Sequence, residues 1–178
     1  MISYKNKKFD ILIEEKEIKD KINQLSKKIN SYYKNDDVVI LSILDGSIML
    51  TSEIIQQFNF TFKLNHIKLS SYEGGTESLG KVKFNGNIDK IVSGKNILII
   101  EDIVDTGTTI NFLKKHLNLI GCKDIKILSL LFKESKYKYS HTIDWFGFKI
   151  DDLFVIGYGM DYEYKFRGLS SIYYMLDN

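Results

Sequence analysis

The chain contains no proline, no alanine, one cysteine and one arginine among its 178 residues. A lone thiol, Cys122, cannot close an internal disulfide. That excludes a disulfide framework and suits a reducing, cytoplasmic setting. Standing beside Gly121, Cys122 reads as a small packing residue. Of 25 basic residues only Arg167 is an arginine. Where lysine serves almost everywhere, the one guanidinium is expected where a planar, bidentate fork is required. Lys, Ile, Asn and Tyr abound, a bias that fits an AT-rich genome. Long hydrophobic runs are also missing. None approaches membrane-spanning length, and the lysine-rich N-terminal stretch lacks an apolar signal core. The net charge is only +2. The lysines are scattered without a basic stripe, so neither nucleic acid nor a membrane is expected as partner. The length suits one domain with an ample core.

The most informative stretch runs from Ile97 to Thr109. Ile97-Leu98-Ile99-Ile100 is an unbroken aliphatic run, short enough for a strand buried on both faces of a parallel sheet. Glu101 and Asp102 follow where such a strand should reach its carboxyl end. Then come Ile103-Val104, a third carboxylate at Asp105, and Thr106-Gly107-Thr108-Thr109. From Ile110 onward Leu113, Leu117 and Ile120 recur at helical spacing, and Gly121 stands at an expected C-cap. The spacing predicts strand, loop and helix N-terminus. Backbone N–H groups and hydroxyls of 106–109 at the positive end of a helix dipole form an anion site. Glu101 and Asp102 would repel that anion. They suit sugar hydroxyls, as acceptors, or Mg²⁺, as hard oxygen ligands.

This pattern of hydrophobic run, Glu-Asp, two aliphatics and Asp-Thr-Gly-Thr-Thr resembles the phosphoribosyl-pyrophosphate motif of type I phosphoribosyltransferases. Asp-Thr-Gly also marks aspartic proteases, but those need an all-β fold and two such carboxylates sharing a proton. Here there is one copy, followed by a helical pattern. A plain buried strand and helix cap would leave three clustered acids unexplained.

Earlier in the chain, Phe9, Ile11 and Ile13 alternate like a strand. An amphipathic helix is expected from about Glu15 to Tyr33. Val38 to Leu44 reads as a second buried strand, ending in Asp45-Gly46-Ser47 before helical spacing through Phe58. That turn resembles the pyrophosphate loop of hypoxanthine-guanine phosphoribosyltransferases, where Leu-Lys-Gly is common and the peptide before the second residue is cis. Asp45 replaces the lysine. Its carboxylate would repel pyrophosphate unless turned aside, leaving the backbone of Asp45 and Gly46 to bind. Phe60 to Ser71 reads as a strand. Ser71-Tyr72 and the glycine-rich run after it resemble the family's mobile lid (about 71–84), which would exclude water during transfer.

Ile125 to Phe132 is another apolar strand, closed by Lys133. The resemblance places Lys133 against the 6-oxo group of a purine, to which an ammonium can donate. In the C-terminal part it implies a hood. Phe154 would stack on the base and the Val155 backbone would read its edge. Asp161 would belong to the purine site and hold Mg²⁺ or its water near the pyrophosphate end, and Arg167 would bind pyrophosphate. Tyr173-Tyr174-Met175 reads as a short last strand.

The resemblance covers about Val38 to Leu169 and is to the hypoxanthine-guanine phosphoribosyltransferases. It implies an α/β fold: a parallel-sheet core (about 36–133) with flanking helices, plus a small hood from about 1–14 and 134–178. It implies a Mg²⁺-dependent transfer of 5-phosphoribosyl from phosphoribosyl pyrophosphate to N9 of a 6-oxopurine, in a homodimer or homotetramer. Asp105 would be the acid/base at purine N7. Asp105 to Thr109 would hold the 5-phosphate, and Glu101 and Asp102 the ribose and the metal. A non-catalytic phosphoribosyl-pyrophosphate sensor, or a transferase for xanthine, stays open. A pyrimidine enzyme for uracil or orotate is disfavoured by the hood pattern.

Overall fold

The structure, a computed structural model, describes residues 1–34, 36–68, 83–84 and 88–176. Its strands are β1 (Ile2–Tyr4), β2 (Lys7–Ile13), β3 (Asp37–Leu44), β4 (Thr61–Lys68), β5 (Lys83–Phe84), β6 (Asn96–Val104), β7 (Asp124–Phe132), β8 (Trp145–Lys149), β9 (Val155–Ile156) and β10 (Ile172–Met175). Its helices are α1 (Glu15–Tyr33), α2 (Ile48–Ile55), α3 (Ile88–Val92) and α4 (Thr108–Ile120), with a 3₁₀ turn at Glu134–Lys136. None of the described helices is long and apolar enough to cross a membrane.

The core sheet has the order β5-β4-β3-β6-β7-β8. All its pairings are parallel except that of β5. The aliphatic runs explain this. On β3 and β6, side chains alternate between two apolar layers. Val38, Ile40, Leu98 and Ile100 pack with α1 and α2 through Ile22, Leu25, Ile29, Leu50 and Ile54. Val39, Leu41, Ile97 and Ile99 pack on the opposite face with Ile110, Leu113 and Leu117 of α4. A strand buried on both faces cannot alternate with polar residues, so the run is continuous. α1 opens on a capping box: the Glu14 N–H donates to the Glu17 carboxylate at 3.0 Å.

Several boundaries differ from the sequence expectations. β6 does not end at Ile100. Glu101 pairs with Ser129 and Ile103 with Leu131 on β7, so the ladder runs on to Val104 and the acidic pair lies on the strand. Before β6, α3 buries Ile88 and Val92, a short helix that no sequence pattern announced. β8 pairs in parallel with β7 and so belongs to the core sheet, although it falls in the range grouped with the hood. The second, antiparallel sheet has the order β1-β2-β10-β9 and joins the two terminal segments. It stands over the carboxyl ends of the core strands, where ligands of such sheets bind.

Candidate active site

Three buried hydroxyls shape the turn after β3. Thr51 donates to Ser42 at 2.9 Å, Ser42 and Ser47 share a hydrogen bond of 2.8 Å, and Ser47 donates to the Ile43 carbonyl at 2.6 Å. They tie the strand end to the start of α2. The Leu44–Asp45 peptide between them is cis, as the resemblance implies. The hood rests directly on this turn. A Cβ on Gly159 would fall 1.9 Å from the Gly46 carbonyl oxygen, so only glycine allows the approach. Arg167 donates from Nη1 to the Gly159 carbonyl at 2.6 Å and faces Asp161 at 2.7 Å. The second Asp161 oxygen accepts the Tyr164 N–H at 2.8 Å.

At the end of β6, Glu101 Oε2 is buried without a hydrogen-bond partner. Burial, then the neighbouring Asp102, push the Glu101 carboxyl well above the usual carboxylate range. Burial also raises Asp102, opposed by hydrogen bonds and by Arg167. Two adjacent carboxylates in this condition are a site that gains from a cation or from donating hydroxyls. The expected metal group of Glu101, Asp102 and Asp161 is not gathered, however. Among the described residues no three His, Cys, Asp or Glu side chains come close enough to share an ion. Asp161 is instead committed to Arg167 and the Tyr164 N–H.

Gly107 begins α4 at φ 81°, a left-handed conformation. A Cβ there would lie 2.3 Å from the Tyr137 ring. Thr106 and Thr108 share a hydroxyl hydrogen bond of 3.0 Å, and Thr108 and Thr109 are exposed at the helix N-terminus. Asp105 sits beside this loop, facing the cleft. Its Oδ2 accepts from Lys133 at 3.2 Å. Its buried Oδ1 lacks a directed hydrogen bond, although Lys136 Nζ lies 3.3 Å away. Lys133 is only 6% exposed, which excludes a snorkelling surface lysine. Asp152 completes the group, at 3.0 Å from Lys133 and 3.1 Å from Lys136. Sequence reasoning missed Lys136 and Asp152. The signals were a second lysine three residues after Lys133 and the acid pair Asp151-Asp152 just before Phe154.

A cleft of about 250 Å³ brings most of these together, among them Gly46, Asp102, Asp105, Lys133, Phe154 and Arg167. Val155, Met160 and Asp161 also line it. Phe154 is 44% exposed and meets Tyr162 edge to face. Val155 is buried in β9. Asp45 does not line the cleft, and its carboxylate pairs with Lys68 at 3.1 Å. Ser71 and Tyr72, the expected lid tip, lie outside the described residues.

Residues 10–163 match the model of the phosphoribosyl transferase domain family. The chain is 35% identical over 162 residues to the hypoxanthine-guanine phosphoribosyltransferase of Bacillus subtilis (strain 168), covering 91% of this chain and 90% of that protein. It is 37% identical over 159 residues to the Lactococcus lactis enzyme of the same name, covering 89% and 86%. A hypoxanthine phosphoribosyltransferase from Staphylococcus aureus superposes with a TM-score of 0.85 at 32% identity, over 94% of this chain and 91% of that one. The chain therefore belongs to the phosphoribosyltransferase family, among its hypoxanthine and hypoxanthine-guanine members.

Proposed function

We propose that the protein transfers a 5-phosphoribosyl group from phosphoribosyl pyrophosphate to N9 of hypoxanthine or guanine. The products are the purine nucleotide and pyrophosphate, a salvage reaction. The observation that carries this reading is one cleft lined together by Asp102 at the acidic end of β6, Asp105 at the start of the 105–109 bend, Lys133 and Phe154. A sensor of phosphoribosyl pyrophosphate needs the loop but has no use for a buried ammonium in that cleft.

The residues divide the work. Backbone N–H groups and hydroxyls of 106–109 hold the 5-phosphate, anchoring the ribose so that its anomeric carbon meets the base. Phe154 covers the purine face, and the Val155 backbone reads its edge. Lys133 donates to the 6-oxo group; an adenine amino group offers it no acceptor. As N9 bonds to the anomeric carbon and the bond to pyrophosphate breaks, the proton on purine N7 passes to Asp105. Arg167 and the Asp45-Gly46 backbone receive the leaving pyrophosphate. Glu101 and Asp102 hold the ribose hydroxyls and fit Mg²⁺, with substrate oxygens completing the shell. The ion would neutralise charge on the leaving group and orient it.

The test is release of pyrophosphate with hypoxanthine, guanine, xanthine and adenine, each with and without Mg²⁺. The reading expects turnover with hypoxanthine or guanine, dependent on Mg²⁺, and none with adenine. Tight binding of phosphoribosyl pyrophosphate with no turnover for any base would instead support the sensor.

A further inference from the structure

The pyrophosphate turn poses a problem that the reaction leaves open: its side chain, Asp45, carries the sign of the ligand. We infer that Lys68, at the carboxyl end of β4, supplies the positive charge that this turn lacks, with Asp45 as its positioning anchor. The inference rests on the proposed reaction.

Lys68 is the parallel register partner of Leu44, so its Cα lies beside the start of the turn. Its Nζ reaches both Asp45 oxygens, at 3.2 and 3.1 Å. Asp45 also faces Arg167, 4.0 Å from Oδ2. Arg167 in turn meets Asp161 at 2.7 Å. The carboxylate of Asp45 therefore lies between two cations and holds them at the mouth of the subsite. The arrangement resembles a lysine-bearing turn with its charges exchanged across the β3–β4 boundary.

Stability does not account for the pair. The Lys68 side chain is 65% exposed and that of Asp45 46%, and exposed pairs add little to folding. The same weakness lets Lys68 swing its ammonium onto a pyrophosphate oxygen, whose charge exceeds that of a single carboxylate. Asp45 then keeps the lysine stem near the turn between cycles.

Steady-state kinetics of the whole chain test this. Lys68→Met should raise KM for phosphoribosyl pyrophosphate, and for pyrophosphate in the reverse reaction, about tenfold. It should leave KM for the purine unchanged and kcat within about threefold. Lys68→Arg should retain most of the wild-type affinity. Lys68→Asp should be worse than Lys68→Met, and the exchange variant D45K/K68D should recover pyrophosphate affinity towards the wild-type value. Unchanged pyrophosphate KM in Lys68→Met, an equal rise in purine KM, or no recovery in the exchange variant would overturn the inference. A wild-type chain that turns over no purine would contradict the reaction itself. Lys68 would then be judged by calorimetric binding of inorganic pyrophosphate to the wild type and Lys68→Met.

Discussion

Asp105 shares its two oxygens unequally. One is held by a buried ammonium, while the other is buried without a directed hydrogen bond. An acid/base must bring a carboxylate oxygen to the proton it exchanges, and Asp105 lines the cleft with its side chain 39% exposed. Asp105→Asn keeps the shape but cannot take the proton. Its kcat should fall about 10²–10⁴-fold, with KM values close to wild type, the pattern of an interaction made in the transition state. An unchanged kcat would remove Asp105 from the role. Lys133→Gln should act differently. The amide donates a weaker hydrogen bond and leaves Asp105 and Asp152 to Lys136 alone. The expected outcome is a loss of kcat/KM for hypoxanthine and guanine of about tenfold or more, with a narrowed preference over adenine. Retained base preference would count against the 6-oxo contact.

At the scale of the element, the start of α4 is fixed by what surrounds it. Gly107 has a positive φ and its backbone lies against Tyr137, so Gly107→Ala meets both backbone strain and a ring. Its KM for phosphoribosyl pyrophosphate should rise at least about tenfold, while purine KM stays put. Behind that wall, His141 stacks on Tyr139, and its Nε2 is buried without a hydrogen-bond partner. Burial, with Lys114 nearby, holds its pKa below the ordinary 6.5, opposed by Asp144. The folded chain therefore disfavours the imidazolium that the unfolded chain accepts. This contribution to stability is whole above about pH 6.5, the unfolded value, and is lost as pH falls from there through the lower folded-state pKa. Melting temperatures measured from pH 7.5 to 5.5 should drop more steeply in the wild type than in His141→Gln; parallel curves would contradict the assignment. The sequence made α4 and its caps legible because a glycine at each end brackets a 3.6-residue period. It did not reveal the Tyr137 wall. That contact depends on where a non-repeating loop packs, which no local pattern encodes. The extension of β6 through Glu101 and Asp102 was hidden for a related reason. Acids disfavour a buried strand locally, and only pairing with β7 overrides this.

Across the whole molecule, Ile13, Val155, Tyr158, Met160 and Ile172 of the hood join the same apolar cluster as the α1–α2 side of the core sheet. Besides the Gly159–Gly46 approach, Tyr158 of the hood hydrogen-bonds to Glu53 on α2 at 2.5 Å. Tyr158→Phe should cost about 1.5 kcal/mol in denaturant unfolding, and a loss near zero would exclude this fastening. The parallel core was readable because its strands are continuous aliphatic runs, and the order of the motifs along the chain placed the site at their ends. The long-range pairings were not readable. Asp152 and Lys136 join Asp105, and Lys68 joins Asp45, only once the sheet order is set. The central claim is that one bend, 105–109, grips the ribose phosphate while Asp105 and Lys133 face the base. A crystal structure of the protein with purine nucleotide and Mg²⁺ tests it most directly. The account predicts the 5-phosphate against the backbone N–H groups of 106–109 and the 6-oxo oxygen within hydrogen-bond distance of Lys133 Nζ. A nucleotide bound elsewhere, with that bend empty, would contradict it.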